Sequence, residues 1–352
     1  MEIAKGRVVV TGGAGFIGSH VVDCLLTRGY HVRVIDDLSS GSLNRLAHHG
    51  NDPRLSFHRV DIRSANKVPP ILAGARYVLH LATRSVRRSL RVPTEVHDVN
   101  TTGTLNILKA SAQVGVRRLL YCSSSEVNGT AEVVPMPEDY PFRPETIYGA
   151  SKLAGEYYAQ VFHRSGWLET VVARPHNTYG PREHYAGAHG EVIPRFILLA
   201  LAGQPLPIFG LGTQTRDFTY VEETSEFLVR LLECDAAVGR IFNVCRGEEA
   251  SILEIADLVG KLTGSQVPHA RLPGRPSDVL RLWGDNTRLK QALGATPKVS
   301  LRDGLARTVA WFRKNVAVSA DLLESLKARN WDELAPEPWL ALLSTPLKAR
   351  AA

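Results

Sequence analysis

The stretch Thr11-Gly12-Gly13-Ala14-Gly15-Phe16-Ile17-Gly18 follows an apolar run, Val8-Val9-Val10, and leads into a helical pattern whose apolar positions include Phe16, Val21, Cys24 and Leu25. A glycine-rich turn between a strand and a helix brings backbone close to a pyrophosphate, and the helix start offers unpaired N–H groups and a positive dipole end. The same letters also suit a plain tight turn. The context favours a dinucleotide: a second run, Val32 to Ile35, ends at Asp36 and Asp37, where a carboxylate meets an adenosine ribose. A carboxylate there accepts from ribose hydroxyls and repels an extra phosphate, so the expected cofactor is NAD. Gly12, Gly15, Phe16, Ile17, Gly18, Asp36 and Asp37 are the candidate residues around it.

Outward from this loop, short β-rich runs continue at Leu55 to Val60, Tyr77 to Leu81, Leu119 to Ser123 and Thr170 to Ala173, separated by helical stretches. That alternation means crossover units and an α/β fold with a doubly wound parallel sheet. After Pro175 proline and glycine become denser, as in Gln204-Pro205-Leu206-Pro207 and Pro273-Gly274-Arg275-Pro276. We expect residues 1–174 to form the nucleotide-binding domain. Residues 175–315 then form a smaller C-terminal lobe, interleaved with the first domain, over the carboxyl ends of the strands. Residues 316–352 are read as a helical tail, with a helix at Ala320 to Arg329 and Trp331 and Trp339 as packing or oligomer contacts. Ser251 to Leu262 reads as a helix with Ser251 as cap and Glu254 as its box partner.

The 352 residues carry 44% hydrophobic and 22% charged side chains, which suits a globular chain and excludes a disordered one. A net charge of +7 raises nucleic acid, a membrane surface or an anionic small substrate as partners. With no nucleic-acid-reading module beside it, the small substrate is preferred, and the cluster Arg84, Arg87, Arg88 and Arg91 is the one local concentration of charge. Four dispersed cysteines lack the spacing of a zinc site or a disulfide framework, so no metal and a reducing, cytoplasmic setting are expected. The apolar stretch Phe196 to Ala202 is too short to span a bilayer.

Tyr148-Gly149-Ala150-Ser151-Lys152 places a phenol and an ammonium at i and i+4 on one helix face. Such a pair is common on surfaces. With Cys122-Ser123-Ser124-Ser125 at the end of the fifth strand it becomes a candidate catalytic set, in which the ammonium, with the nicotinamide charge, lowers the tyrosine pKa toward neutrality.

From about Arg7 to Phe312 the chain resembles the extended short-chain dehydrogenase/reductases, and within them the nucleotide-sugar epimerase/dehydratase group typified by UDP-galactose 4-epimerase. The resemblance rests on TGGAGFIGS from Thr11, DDLSSG from Asp36, HLAT from His80, SSSEV from Ser123, YGASK from Tyr148, RPHNTYGPR from Arg174 and TRDFTYV from Thr215. It implies a Rossmann-type fold, a likeness to homodimers, and a substrate that is a nucleotide-diphosphate sugar. Helices around Asn100 to Ala112 and Ser151 to His163 are the candidate pairing face. By similarity Tyr148 takes the proton of a sugar hydroxyl, usually at carbon 4, Ser124 polarises that oxygen, and Lys152 holds the ribose. Asp61 and Ile62 would flank the adenine, Leu81, Ala82 and Thr83 line the cofactor, and Asn100 sit near its ribose. Asn177, Val192, Ile193, Phe209, Arg216, Arg275 and Asp278 match positions that hold the diphosphate and base.

Three fates of a 4-keto sugar stay open. Return of hydride to the opposite face gives the 4-epimer of a UDP-hexose. Glu126 as a second acid/base would make the chain a dehydratase, although Ser125 stands where dTDP-glucose dehydratases carry an Asp. A decarboxylase acting on UDP-glucuronate would want an arginine near Leu282, and the sequence offers Arg281 beside it. Asn128 and His176 depart from the family pattern, the first as a packing change and the second either facing the sugar or structural. The competing non-enzyme reading, an NAD-binding regulatory protein, is disfavoured because Tyr148 and Lys152 are both kept.

Overall fold

The computed structural model describes residues 5–274 and 278–326 together with Arg329, Asp332, Pro336 and Glu337. Strands β1 (Arg7–Thr11), β2 (His31–Asp36), β3 (Leu55–Arg59), β4 (Tyr77–His80), β5 (Arg118–Cys122) and β6 (Glu169–Pro175) are joined by Ile241–Val244 in one parallel sheet. From the edge beside β6 the order is Ile241–Val244, β6, β5, β4, β1, β2, β3. Order reverses between β1 and β4, which opens a crevice at the carboxyl ends, where such sheets bind ligands. The middle strands β1, β4 and β5 are almost wholly buried, as a parallel sheet covered by helices on both faces requires.

Two apolar layers cover the faces. One packs the first helix, α1 (Phe16–Thr27), and helix Val221–Glu233 against Val8, Val10, Val32, Val34 and Leu120. The other packs Ile107, Leu108, Ala159 and Phe162, from helices Thr104–Gln113 and Ile147–Arg164, against Val9, Val78, Leu119 and Val172. A strand and a helix from beyond residue 175 therefore complete the first sheet and one of its layers. Sequence periodicity gave no sign of the strand at Ile241–Val244, since four residues carry too short a pattern.

A separate core around Phe196, Ile197, Ile208, Ile255, Val259 and Phe312 holds the lobe together. Helix Ile252–Thr263 carries the expected capping box: the Ser251 hydroxyl accepts from the Glu254 N–H at 3.1 Å, and the Glu254 carboxylate accepts from the Ser251 N–H at 2.6 Å. In the tail, helix Ala320–Ser325 ends four residues before the expected Arg329, while Trp331 and Trp339 lie outside the described residues.

Candidate active site

The glycine loop needs glycine for stated reasons. Gly12 has φ +70°, and a Cβ there would sit 2.8 Å from the Ala82 nitrogen; a Cβ on Gly18 would lie 2.1 Å from the Gly12 carbonyl oxygen. The close seating leaves α1 with Gly15 as its N-cap and no side-chain cap bond, so its first N–H groups face the crevice. At the tip of β2 the Asp36 carboxylate accepts from the Ala14 N–H at 3.0 Å and the Leu38 N–H at 2.9 Å, while burial pushes its pKa up.

A cavity of about 330 Å³ runs along these ends. Gly12, Gly15, Phe16, Ile17, Gly18, Asp36, Asp37, Asp61, Ile62, Leu81, Ala82 and Thr83 line it, and Ser124, Glu126, Tyr148 and Lys152 line its far part. The donor set fits a dinucleotide: an uncapped helix start for the pyrophosphate, a carboxylate at the end of β2, and apolar Ile62, Leu81 and Val99 beside them.

Asn100 is placed differently from the expectation. It lies in a π-helical turn, Asp98–Gly103, behind the cavity wall, where its amide oxygen accepts from the Arg84 N–H at 2.7 Å and the Thr83 hydroxyl at 3.0 Å. Its amide nitrogen donates to Ser151 Oγ at 3.0 Å. Asn100 thus ties the loop after β4 to the Tyr148–Lys152 helix.

The catalytic candidates converge from two elements. Ser124 caps a short turn after β5, its hydroxyl accepting from the Glu126 N–H at 3.2 Å, and it lines the same cavity as Tyr148. Thr146 caps the helix that carries Tyr148 and Lys152 by accepting from the Gly149 N–H at 3.0 Å. A wholly buried ion pair between Arg174 and Glu156, at 2.7 Å, fastens that helix to β6, and the Ser123 hydroxyl donates to the same Glu156 carboxylate at 2.5 Å.

Burial raises the Tyr148 pKa, against the lowering effect of the nearby Ser124, and the charges of Glu126 and Glu191 add to the rise. Burial lowers the pKa of Lys152, whose ammonium donates to the Cys122 carbonyl at 2.6 Å. The expected lowering of Tyr148 is therefore absent from the chain alone. Its physical reason is desolvation of the phenolate.

A second cavity, of about 150 Å³, shares Val86, Glu126, Asn177 and Glu191 with the first and extends into the lobe. Val192, Phe209, Arg216 and Asp278 line it, and the Arg216 guanidinium meets the Asp278 carboxylate at 3.0 Å. Ile193 is corrected: one step round helix Val192–Leu201, it points into the lobe core at 1% exposure. Arg275 lies outside the described residues.

His176 does not line either cavity; it is buried beside Asn243, Cys245 and Gly284, and burial lowers its pKa to about 4. Asn128 donates to the Tyr140 and Pro141 carbonyls at 3.1 and 3.3 Å, which is the packing role expected. Leu282 is fully buried with Met136 and Val279, and Arg281 pairs with Glu249, so neither offers a guanidinium to the cavity.

Arg84 bridges Asp37 at 2.8 Å and Glu95 at 3.0 Å, Arg87 pairs with Glu191, Arg88 with Glu95 at 2.6 Å, and Arg91 with Asp332. Burial opposes ionisation of Asp37, but Arg84 and Ser39 outweigh it and hold the carboxyl at about 2. Arg84, Arg87 and Glu191 all line the cavities; position just after HLAT points to Arg84 and Arg87, and no local sequence signal points to Glu191.

A dinucleotide crevice opening onto a Ser-Tyr-Lys set defines a nicotinamide-dependent α/β enzyme of the short-chain dehydrogenase type. Residues 8–245 match the model of the NAD dependent epimerase/dehydratase family, and the chain belongs to that family, with NAD as its cofactor. It is 37% identical over 311 residues to a UDP-glucose 4-epimerase of Mycolicibacterium smegmatis, covering 87% of this chain and 98% of that one. A UDP-glucuronic acid decarboxylase of Arabidopsis thaliana is 37% identical over 319 residues, covering 88% of this chain and 69% of that one. The solved dTDP-glucose 4,6-dehydratase of Streptomyces venezuelae with NAD bound superposes with a TM-score of 0.84 at 32% identity, covering 90% of this chain and 99% of that one. Among the described residues no helix is long and apolar enough to cross a membrane.

Proposed function

We propose that the chain is a nucleotide-sugar 4-epimerase acting on a UDP-hexose or a derivative through a transient 4-keto sugar. The observation that carries this reading is the convergence of Ser124, Tyr148 and Lys152 on the dinucleotide cavity, which shares Glu126, Asn177 and Glu191 with the Arg216–Asp278 cavity. When bound, NAD supplies the hydride acceptor, the returning hydride and a positive ring near Tyr148. Tyr148 removes and later returns the proton of the carbon 4 hydroxyl, and Ser124 donates to the oxygen as charge grows on it. Lys152 holds the ribose, and Arg216 grips the diphosphate with a planar fork. In this reading residues 1–174 bind NAD and most of 175–315 binds the nucleotide-sugar, with Asn177, Val192, Phe209 and Asp278 as its walls.

A second reading has one specific support. Glu126 lines both cavities and its charge acts on Tyr148, which supports reading it as the second acid/base of a dehydratase. Decarboxylation is disfavoured by the placement of Leu282 and Arg281.

The chain would work as a cytoplasmic homodimer. Its four free thiols suit a reducing compartment. Tyr157 and Val161, one helical turn apart, are 47% and 41% exposed on helix Ile147–Arg164, an apolar patch that a second copy would cover. The deciding experiment incubates purified protein with UDP-, dTDP-, GDP- and CDP-sugars and follows product mass. An unchanged mass with a new stereoisomer supports the epimerase; loss of water supports the dehydratase, and loss of carbon dioxide overturns both.

A further inference from the structure

On the side of α1 away from the sheet, Asp23 meets two consecutive imidazoles. His48 Nε2 lies 2.8 Å and His49 Nε2 2.7 Å from the same carboxylate oxygen, Oδ1. Adjacent residues in a 3₁₀ turn such as Ala47–His49 normally point about 120° apart. Here both rings turn to one point, with centroids 4.1 Å apart. We propose that Asp23, His48 and His49 form a binding site for one divalent transition-metal ion of the zinc type.

The donor set suits that ion, since two imidazole nitrogens and a carboxylate oxygen form a common three-ligand shell that leaves a position for water. All three ligand atoms lie within 4.8 Å of one another. One ion with bonds of about 2.0–2.2 Å would gather them with small rotations of the rings. Without an ion the same atoms form two ordinary hydrogen bonds, which keeps the donors gathered in advance.

The surroundings hold the carboxylate as a metal ligand is usually held. Its other oxygen, Oδ2, takes the Arg182 guanidinium, and Arg182 is itself anchored by its Nη1 donating to the Arg45 carbonyl at 3.0 Å. A ligating carboxylate with its second oxygen hydrogen-bonded is the usual arrangement around bound zinc. Beside Asp23, His20 bonds the Pro181 carbonyl oxygen at 2.9 Å through Nε2, so it braces the site and is not counted as a ligand. The site opens on a cavity of about 930 Å³ bordered by Arg45, His48 and Trp311, and His48 is 50% exposed, so an ion has a way in.

The consequence falls on the cofactor side. His48 and His49 end the segment that begins at Asp37, and in it Ser39 and Ser40 line the dinucleotide cavity while the Ser42 N–H donates to the Ala14 carbonyl at 2.9 Å. An ion at Asp23 would clamp the far end of that segment onto the helix whose start faces the pyrophosphate.

The test uses full-length protein stripped with a chelator and titrated with Co²⁺ by absorbance, then with Zn²⁺ by calorimetry. The expected result is one equivalent per chain in the wild type. The His48→Gln/His49→Gln double variant should bind at least about tenfold more weakly, with a native far-UV circular dichroism spectrum and an unchanged metal-free NAD affinity. Should the double variant fold poorly, His48→Gln alone, at the exposed position, must weaken Co²⁺ binding likewise. No stoichiometric uptake by the wild type, or equal uptake by a folded variant, overturns the proposal.

Discussion

The Lys152 ammonium donates to the main-chain carbonyl of Cys122 at 2.6 Å, and so the residue proposed to tune Tyr148 is fastened to the end of the neighbouring strand. The ammonium also lies 5.2 Å from the centre of the Tyr121 ring, itself buried. Its position is thus set by β5 and not by the phenol. A fixed cation costs no reorganisation during the reaction.

With burial raising the Tyr148 pKa in the chain alone, ionisation of that phenol should depend on the nicotinamide charge. NAD-free protein should show no tyrosinate from Tyr148 below the ordinary tyrosine value of about 10. Saturation with NAD should bring one tyrosinate per chain below that value, absent in Tyr148→Phe. The same variant should lose about 10²-fold or more in kcat while keeping NAD affinity. Unchanged turnover removes Tyr148 from the mechanism.

The glycine loop, the Asp36 terminus and the Tyr148–Lys152 spacing were legible because each is a local pattern, set within a few residues by backbone geometry. What escaped was long-range. Arg84 and Arg87 read only as a local concentration of positive charge because Asp37, Glu95 and Glu191, which pair with them, lie on other segments. Val192 and Ile193 differ by one step round a helix whose axis no sequence pattern orients against the cavity. Asn100 was placed near the ribose, but a π-helical turn carries it behind the wall.

Acid should destabilise the fold through its buried imidazoles. Burial lowers His176, His20 and His184 to about 4 and His80 to about 3. In the unfolded chain each takes a proton near pH 6.5, so between that value and about 4 the unfolded state binds more protons and stability falls with pH. The stabilisation is present above pH 6.5. Urea midpoints measured from pH 7.5 down to 4.5 should fall below 6.5, and less steeply in His176→Gln than in the wild type. Parallel curves for the two proteins would show that His176 takes its proton equally in both states.

The role proposed for Glu126 separates inversion from elimination, and isotope exchange reads it directly. If its carboxylate moves the carbon 5 proton, turnover in deuterated water should place deuterium at carbon 5, and Glu126→Gln should stop that incorporation. Inversion at carbon 4 needs only Ser124 and Tyr148, so the variant should keep epimerase turnover within about tenfold, the lower side of one general acid–base contribution. No deuterium at carbon 5 in the wild type during turnover sinks the second-base role.

Arg216 offers the sharpest test of where the nucleotide-sugar sits. Its guanidinium is 8% exposed, pairs with Asp278 at 3.0 Å and donates to the Thr215 carbonyl at 2.8 Å, so the fork is oriented before any substrate arrives. A charge-assisted bond to phosphate contributes about 1.5–3 kcal/mol, which converts to a rise in KM of roughly 10- to 100-fold for Arg216→Gln. The change should appear in KM and not in kcat, because the diphosphate is held equally in ground and transition states. NAD affinity should not move, since Arg216 borders the lobe cavity and not the dinucleotide crevice. Arg216→Lys keeps the charge but loses the planar fork, so it should recover only part of the affinity. A pair serving Asp278 alone gives a different pattern: Arg216→Gln would lower the thermal midpoint and leave KM for every nucleotide-sugar where it was, and the diphosphate would have to be sought elsewhere along the lobe.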